Sequence, residues 1–89
     1  MTYEIDFSNK SIKFLEKMSK NDDELVTNLL GTIKEIKNDP YESKKMKGRF
    51  KGTRREKYGN YRIIFEINKE ENIISILEIG KRSTIYRKK

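Results

Sequence analysis

The chain contains no cysteine, no histidine and no tryptophan, and a single proline. Without cysteine there is no disulfide scaffold and no thiolate metal site. Without histidine, any catalysis must work without the side chain that ordinarily moves protons near neutral pH. Neither a metal nor a cofactor is expected. No apolar run approaches the ~20 residues that a membrane span needs, so no membrane association is expected. The start, Met1-Thr2-Tyr3-Glu4-Ile5-Asp6, lacks the charged-then-apolar pattern of a signal peptide. The cytoplasm is the expected compartment.

What the chain has in abundance is charge. Its 89 residues are enough for one domain with a single modest core, so residues 1–89 are read as one unit. Charged residues are 39% and hydrophobic residues 34%, a polar mix. The apolar residues nevertheless fall in periodic blocks, which argues against disorder. The net charge of +7 is unevenly placed. Residues 1–43 hold 6 Lys+Arg against 9 Asp+Glu, a net of −3, and residues 44–89 hold 15 against 5, a net of +10. A strongly basic half on a folded domain points to phosphate-bearing partners, chiefly nucleic acid.

Residues 2–7 alternate, with Tyr3, Ile5 and Phe7 on one face, which predicts a strand. Ser8 or Asn9 can cap a helix whose buried side would be Ile12, Leu15 and Met18, with Phe14 adjacent. A polar break at 19–21 precedes a second helix, capped by Asn21 or Asp22. Its acidic first turn suits the positive end of the helix dipole. Leu25, Val26, Leu29, Ile33 and Ile36 recur at helical spacing until Asn38-Asp39-Pro40 stops the run. Residues 41–52 read as a basic loop tacked down by Met46 and Phe50. Strands are expected at about 53–58, 61–68 and 72–79. The last is a nearly continuous apolar run, as in a strand buried on both faces, with Gly80 ending it and a basic tail following. The order β-α-α-β-β-β predicts an α+β fold: a small, mostly antiparallel sheet with a helical hairpin on one face.

The densest signal is the hairpin Thr53-Arg54-Arg55-Glu56-Lys57-Tyr58-Gly59-Asn60-Tyr61-Arg62-Ile63-Ile64-Phe65-Glu66-Ile67. Gly-Asn between two strand-like runs is a two-residue turn, because Gly supplies the positive φ of the first central position. Tyr58 then faces Tyr61, Lys57 faces Arg62, and Glu56 faces Ile63. Alternation puts Arg55, Lys57 and Arg62 on one face. Like charges directly opposite one another destabilise a strand pair, so the arrangement suggests an anion site rather than a gain for the fold. Tyr58 and Tyr61 fall on the other face.

These residues, followed by Ile79-Gly80-Lys81-Arg82-Ser83-Thr84-Ile85-Tyr86, resemble the RelE/ParE toxin superfamily over nearly the whole chain. Each piece alone is weak. A basic-x-basic strand, a tight turn, a Tyr-Arg-aliphatic-aliphatic-aromatic strand and a Gly-Lys-Arg…Tyr ending behind a β-α-α start are together more specific. The resemblance implies a RelE-like fold and one of two activities. RelE-type members are ribosome-dependent ribonucleases that cleave messenger RNA. ParE-type members share the fold but poison DNA gyrase. Both are neutralised by an acidic antitoxin, RelB-like in the first case. The match leans to the RelE type, since Arg55, Lys57, Arg62, Arg82 and Tyr86 fill positions corresponding to that group's working residues. Thr53 stands where a further cation is often found. The implied partners are messenger RNA, the ribosome and an antitoxin.

The residues themselves suit metal-independent RNA cleavage. RNA carries its own nucleophile, the 2′-OH beside the scissile phosphate. A protein need only align it, take its proton, neutralise the phosphorane and protonate the 5′-oxygen. Guanidinium groups are suited to the third task, being planar, bidentate and always charged. Arg62 and Arg82 are read as phosphate clamps. Lys57 or Arg55 is read as the proton-transfer and charge-stabilising group, and Tyr86 as a stacking surface or base. The bland alternatives are an ion pair from Arg62 to Glu66 or Glu78, a solvated Lys57, and a Tyr86 that packs the tail. Lys44, Lys45, Lys47, Arg49, Lys51, Arg54 and Lys81 are read as contacts to RNA or ribosome backbone phosphates.

Overall fold

A computed structural model describes residues 3–87, with the side chains at 49, 86 and 87 outside what is described. The elements run β1 (Glu4–Phe7), α1 (Asn9–Asn21), α2 (Asp23–Asn38), β2 (Lys44–Lys45), β3 (Arg54–Tyr58), β4 (Tyr61–Asn68), β5 (Ile73–Lys81) and α3 (Arg82–Arg87). Single 3-10 turns at Pro40–Glu42 and Gly48–Phe50 flank β2. The fold is α+β, as the residue pattern predicts.

Both long helices are started by side chains that satisfy otherwise orphaned amides. Ser8 accepts from the Ser11 amide, and Asp22 Oδ1 accepts from the Leu25 amide at 3.1 Å. Asp22 also closes α1, its own N–H donating to the Met18 carbonyl. One residue therefore ends one helix and begins the next, which forces the antiparallel hairpin. Ile12, expected on the buried side of α1, is 41% exposed. Ser11 takes the inward position instead, fully buried, with its hydroxyl donating to the Ile76 carbonyl at 3.2 Å. A small side chain lets the helix approach β5 closely, and the stripe Ser11, Phe14, Leu15, Met18 keeps helical spacing.

The five strands lie in the order β1-β5-β4-β3-β2. β1 pairs with β5 in parallel, and the remaining pairs are antiparallel. β5 is therefore internal to the sheet, but it is buried on the helix face and only partly covered on the other, not buried on both faces as its nearly continuous apolar run suggests. Leu77 is an extra residue in β5, since Ile64 pairs with Glu78 while the next residue, Phe65, pairs with Ile76. The core forms where Leu25, Leu29, Ile33 and Ile36 of α2 meet Ile63, Phe65, Ile74, Ile76 and Ile79 of the sheet. Fully burying each large side chain contributes about 1.5–3 kcal/mol.

Two expectations are corrected at the ends of these elements. Gly80 does not end β5, which runs on to Lys81, and the basic tail winds into α3. Ile85 of α3 packs directly over Gly80, where a Cβ would lie 3.4 Å from Ile85 Cγ1, at ordinary contact distance. The segment 41–52, expected to be loop, contributes the short edge strand β2.

Candidate nucleic-acid interface

The hairpin register is the one read from the sequence: Glu56 opposite Ile63, Lys57 opposite Arg62, Tyr58 opposite Tyr61. Gly59 takes φ 56° at the first central position of the turn. Ile63 and Phe65 are buried under the helices, so Arg62 and Ile64 point to the opposite face. Across that second face one row is Lys57–Arg62–Gly80 and the next is Lys44–Arg55–Ile64. Lys44, Arg55, Lys57 and Arg62 thus share one surface. Lys57 and Lys44 are exposed, and Arg55 is half-buried.

Arg82 joins this group through its backbone. Its N–H donates to the Asn60 carbonyl at 2.8 Å, tying the start of α3 to the hairpin turn. A small depression of about 240 Å³ lies between them, lined by Asn60, Lys81, Arg82 and Ser83. The side chain of Arg82 is exposed. The backbone of Tyr86 continues α3, and its side chain lies outside the described residues.

Arg62 is placed differently from an open clamp. It is 9% exposed, and Nη1 donates to the carbonyls of Gly59 and Tyr61, each at 3.0 Å. Its Nε is buried without a hydrogen-bond partner. It pairs with neither Glu66 nor Glu78; the latter takes Lys10 at 3.2 Å. The guanidinium therefore holds the turn and places a fixed positive charge beneath it.

The remaining basic residues divide by face. Arg54 points to the helix side, where Nη1 donates to the Ser43 carbonyl at 2.8 Å and the guanidinium lies 5.0 Å from the Tyr41 ring centroid. It braces the turn before β2. Glu56 accepts from the buried Ser43 hydroxyl at 2.7 Å, completing that brace. Composition hides this role, but alternation carries it, since Arg54 and Glu56 are out of phase with Arg55 and Lys57. Lys45 pairs across from Arg54, while Lys47, Lys51 and the backbone of Arg49 lie in the turn between β2 and β3. Tyr61 packs edge-on to Phe14, centroids 6.1 Å apart, and the Tyr58 hydroxyl accepts from Asn28 Nδ2 at 2.8 Å. Both tyrosines are on the helix side, as expected. Desolvation and then a hydrogen bond with Tyr41 push the Tyr3 hydroxyl above its ordinary pKa.

A five-stranded, mostly antiparallel sheet backed by a helical hairpin is the fold of the RelE-like toxins. The toxin of the RelBE2 complex from Mycobacterium tuberculosis matches at 19% identity, covering 93% of this chain and 94% of that one, with a TM-score of 0.80. A YoeB/ParE toxin from Agrobacterium tumefaciens matches at 13% identity, 89% and 98% coverage and a TM-score of 0.79. The intact E. coli RelBE toxin–antitoxin complex gives 21% identity, 89% and 95% coverage and 0.73. At such identities these likenesses establish the fold. The family follows from the sequence: residues 5–86 match the model of the ParE toxin of type II toxin–antitoxin systems, parDE. The chain belongs to this family, within the RelE/ParE superfamily. No curated protein matches it.

Proposed function

We propose that this toxin is a metal-independent endoribonuclease of the RelE type, acting on messenger RNA at the ribosome. The observation that carries the reading is the meeting of Lys57, Arg55 and Arg62 on one face with the start of α3 tied to the hairpin turn. Exposed Lys57 and Arg82 flank the buried Arg62 charge. Such an arrangement favours a pentacoordinate phosphorane over the ground-state diester, because the charge that grows meets cations already in place. In the step proposed, the 2′-oxygen forms a bond to phosphorus as its proton leaves to Lys57 or Tyr86. The P–O5′ bond breaks with protonation of the leaving oxygen. The products are a 2′,3′-cyclic phosphate and a 5′-hydroxyl. Arg55, Lys57, Arg62, Arg82 and Tyr86 form the catalytic set. Lys44, Lys45, Lys47, Arg49, Lys51 and Lys81 supply contacts to backbone phosphates, whereas Arg54, turned to the helix side, contributes only through the brace it holds. An acidic antitoxin of the RelB or YefM kind is the regulating partner.

The second reading, a ParE-like inhibitor of DNA gyrase without nuclease activity, is favoured by the family description and by the engagement of Arg62 with its own turn. Primer extension on messenger RNA in a translating extract separates the two. The ribonuclease reading expects new 3′ ends that vanish with Arg82→Ala and Lys57→Ala. Growth arrest with intact RNA and trapped DNA–gyrase complexes would establish the second reading instead.

A further inference from the structure

The hairpin turn carries a side chain that the fold itself does not use. Its three successive carbonyls are all taken. Those of Gly59 and Tyr61 accept from Arg62 Nη1, each at 3.0 Å, and that of Asn60 accepts from the Arg82 N–H at 2.8 Å. The backbone is therefore pinned on both sides of Asn60. The Asn60 side chain, by contrast, is exposed, and its amide makes no hydrogen bond with any described residue. Nor does the turn need an asparagine for its conformation. Gly59 takes the positive φ there, and Asn60 does not. Serine or aspartate after glycine closes the same kind of two-residue loop.

The amide borders the depression of about 240 Å³ between the turn and the start of α3. Lys81, Arg82 and Ser83 form its other walls, all three exposed. The Ser83 hydroxyl likewise makes no hydrogen bond with a described residue. Drug-sized ligands occupy about 300–1,000 Å³, so the occupant is smaller, of the size of one nucleobase. The chemistry narrows it further. A bare anion would satisfy Lys81 and Arg82 but would set its charge against the amide oxygen of Asn60. An amide offers one donor and one acceptor side by side. Adenine matches it with the N7 acceptor beside the N6 donor, a bidentate pairing. Lys81 and Arg82 are then left for the phosphate of the same nucleotide.

We propose that this depression is a base-reading subsite, in which the Asn60 amide pairs with the edge of an adenine and the Ser83 hydroxyl supplies a supporting hydrogen bond. The proposal rests on the ribonuclease reading, which puts a phosphate at Arg82, and it adds a preference for the base beside that phosphate. The pinned turn favours such readout, since little backbone freedom is lost when the base arrives.

The test uses the full chain and fluorescein-labelled tetranucleotides carrying a single base, A, C, G or U, on an otherwise abasic deoxyribose backbone, with a wholly abasic control. All have equal charge and none has the 2′-OH that cleavage requires. By anisotropy, the adenine probe is expected to bind about tenfold tighter than the abasic one, the order that one bidentate side chain–base pair supplies. Asn60→Ser should abolish that difference. Asn60→Asp accepts hydrogen bonds but cannot donate them, so it should move the preference to the cytosine probe. A merely structural asparagine would weaken all five probes alike and leave their order unchanged. Equal binding of the five probes by the parent chain, an adenine preference kept in Asn60→Ser, or a guanine preference lost with Lys81→Ala would overturn the proposal. Primer extension with the parent chain separates it from the reading on which it rests. New 3′ ends without a bias toward adenine would overturn the subsite alone. No new 3′ ends, beside intact adenine selectivity in binding, would overturn the ribonuclease reading and leave the base-reading subsite supported.

Discussion

At the scale of the residue, Lys57 and Arg62 face one another but behave differently. Lys57 is exposed, while Arg62 spends its guanidinium on the Gly59 and Tyr61 carbonyls. Facing cations repel, so removing the exposed one relieves the pair. Lys57→Ala is expected to leave stability within about 0.5 kcal/mol of the parent, or slightly higher, while cutting RNA cleavage by about 10²-fold. Arg62→Ala should cost about 1–3 kcal/mol, because the Gly59 and Tyr61 carbonyls lose their donor and the packed, buried stem is removed. Urea unfolding read beside single-turnover cleavage checks both. A Lys57→Ala variant that loses stability and activity together would mean that the lysine serves the fold. The sequence makes the facing pair visible through turn length and alternation. It does not make the burial of Arg62 visible, because that depends on a carbonyl-rich turn curling back over the side chain.

At the scale of the element, the hairpin and the helical hairpin are legible because each is long enough for its period to repeat. α3 is not. Six residues span fewer than two turns, and Ile85 is its one fully buried anchor among the described side chains. A period cannot be read from one apolar position. β2 escapes notice for a related reason, as two lysines have no alternation. Ile12 misleads because composition ranks isoleucine inside, whereas the close crossing of α1 over β5 selects Ser11. The dependence of α3 on Ile85 has a functional consequence, since α3 carries Arg82. Ile85→Ala is expected to cost about 2–4 kcal/mol and to lower cleavage nearly as far as Arg82→Ala. Amide exchange at Arg82 should accelerate at the same time, reporting loss of its bond to Asn60. Protection at Arg82 that survives in Ile85→Ala would show that the backbone bond alone seats the helix.

At the scale of the whole molecule, carboxylates and cations divide the open face of the sheet into two regions. The row Asp6–Ser75–Glu66 lies on the same side as Lys57 and Arg62 but toward the β1 edge. Asp6 and Glu66 are exposed. A phosphate chain drawn to Lys44, Arg55 and Lys57 therefore meets carboxylates if it continues across β4 and β5 toward β1. Its favourable path follows β3 and the start of α3. Salt dependence of RNA binding tests this directly, because each neutralised phosphate of a single strand contributes about −0.7 to the slope of log K against log salt. Lys57→Ala and Arg82→Ala should each shallow the slope by about that amount. Asp6→Asn/Glu66→Gln should raise affinity about two- to threefold, through a field screened within a Debye length of about 8–10 Å, with the slope unchanged. A steeper slope in that double variant would mean that RNA crosses the sheet once the carboxylates are gone. The acidic row would then be what confines it in the parent chain. A shallower slope would mean that removing distant carboxylates disturbs the contacts at β3, and the division of the face into two independent regions would fail.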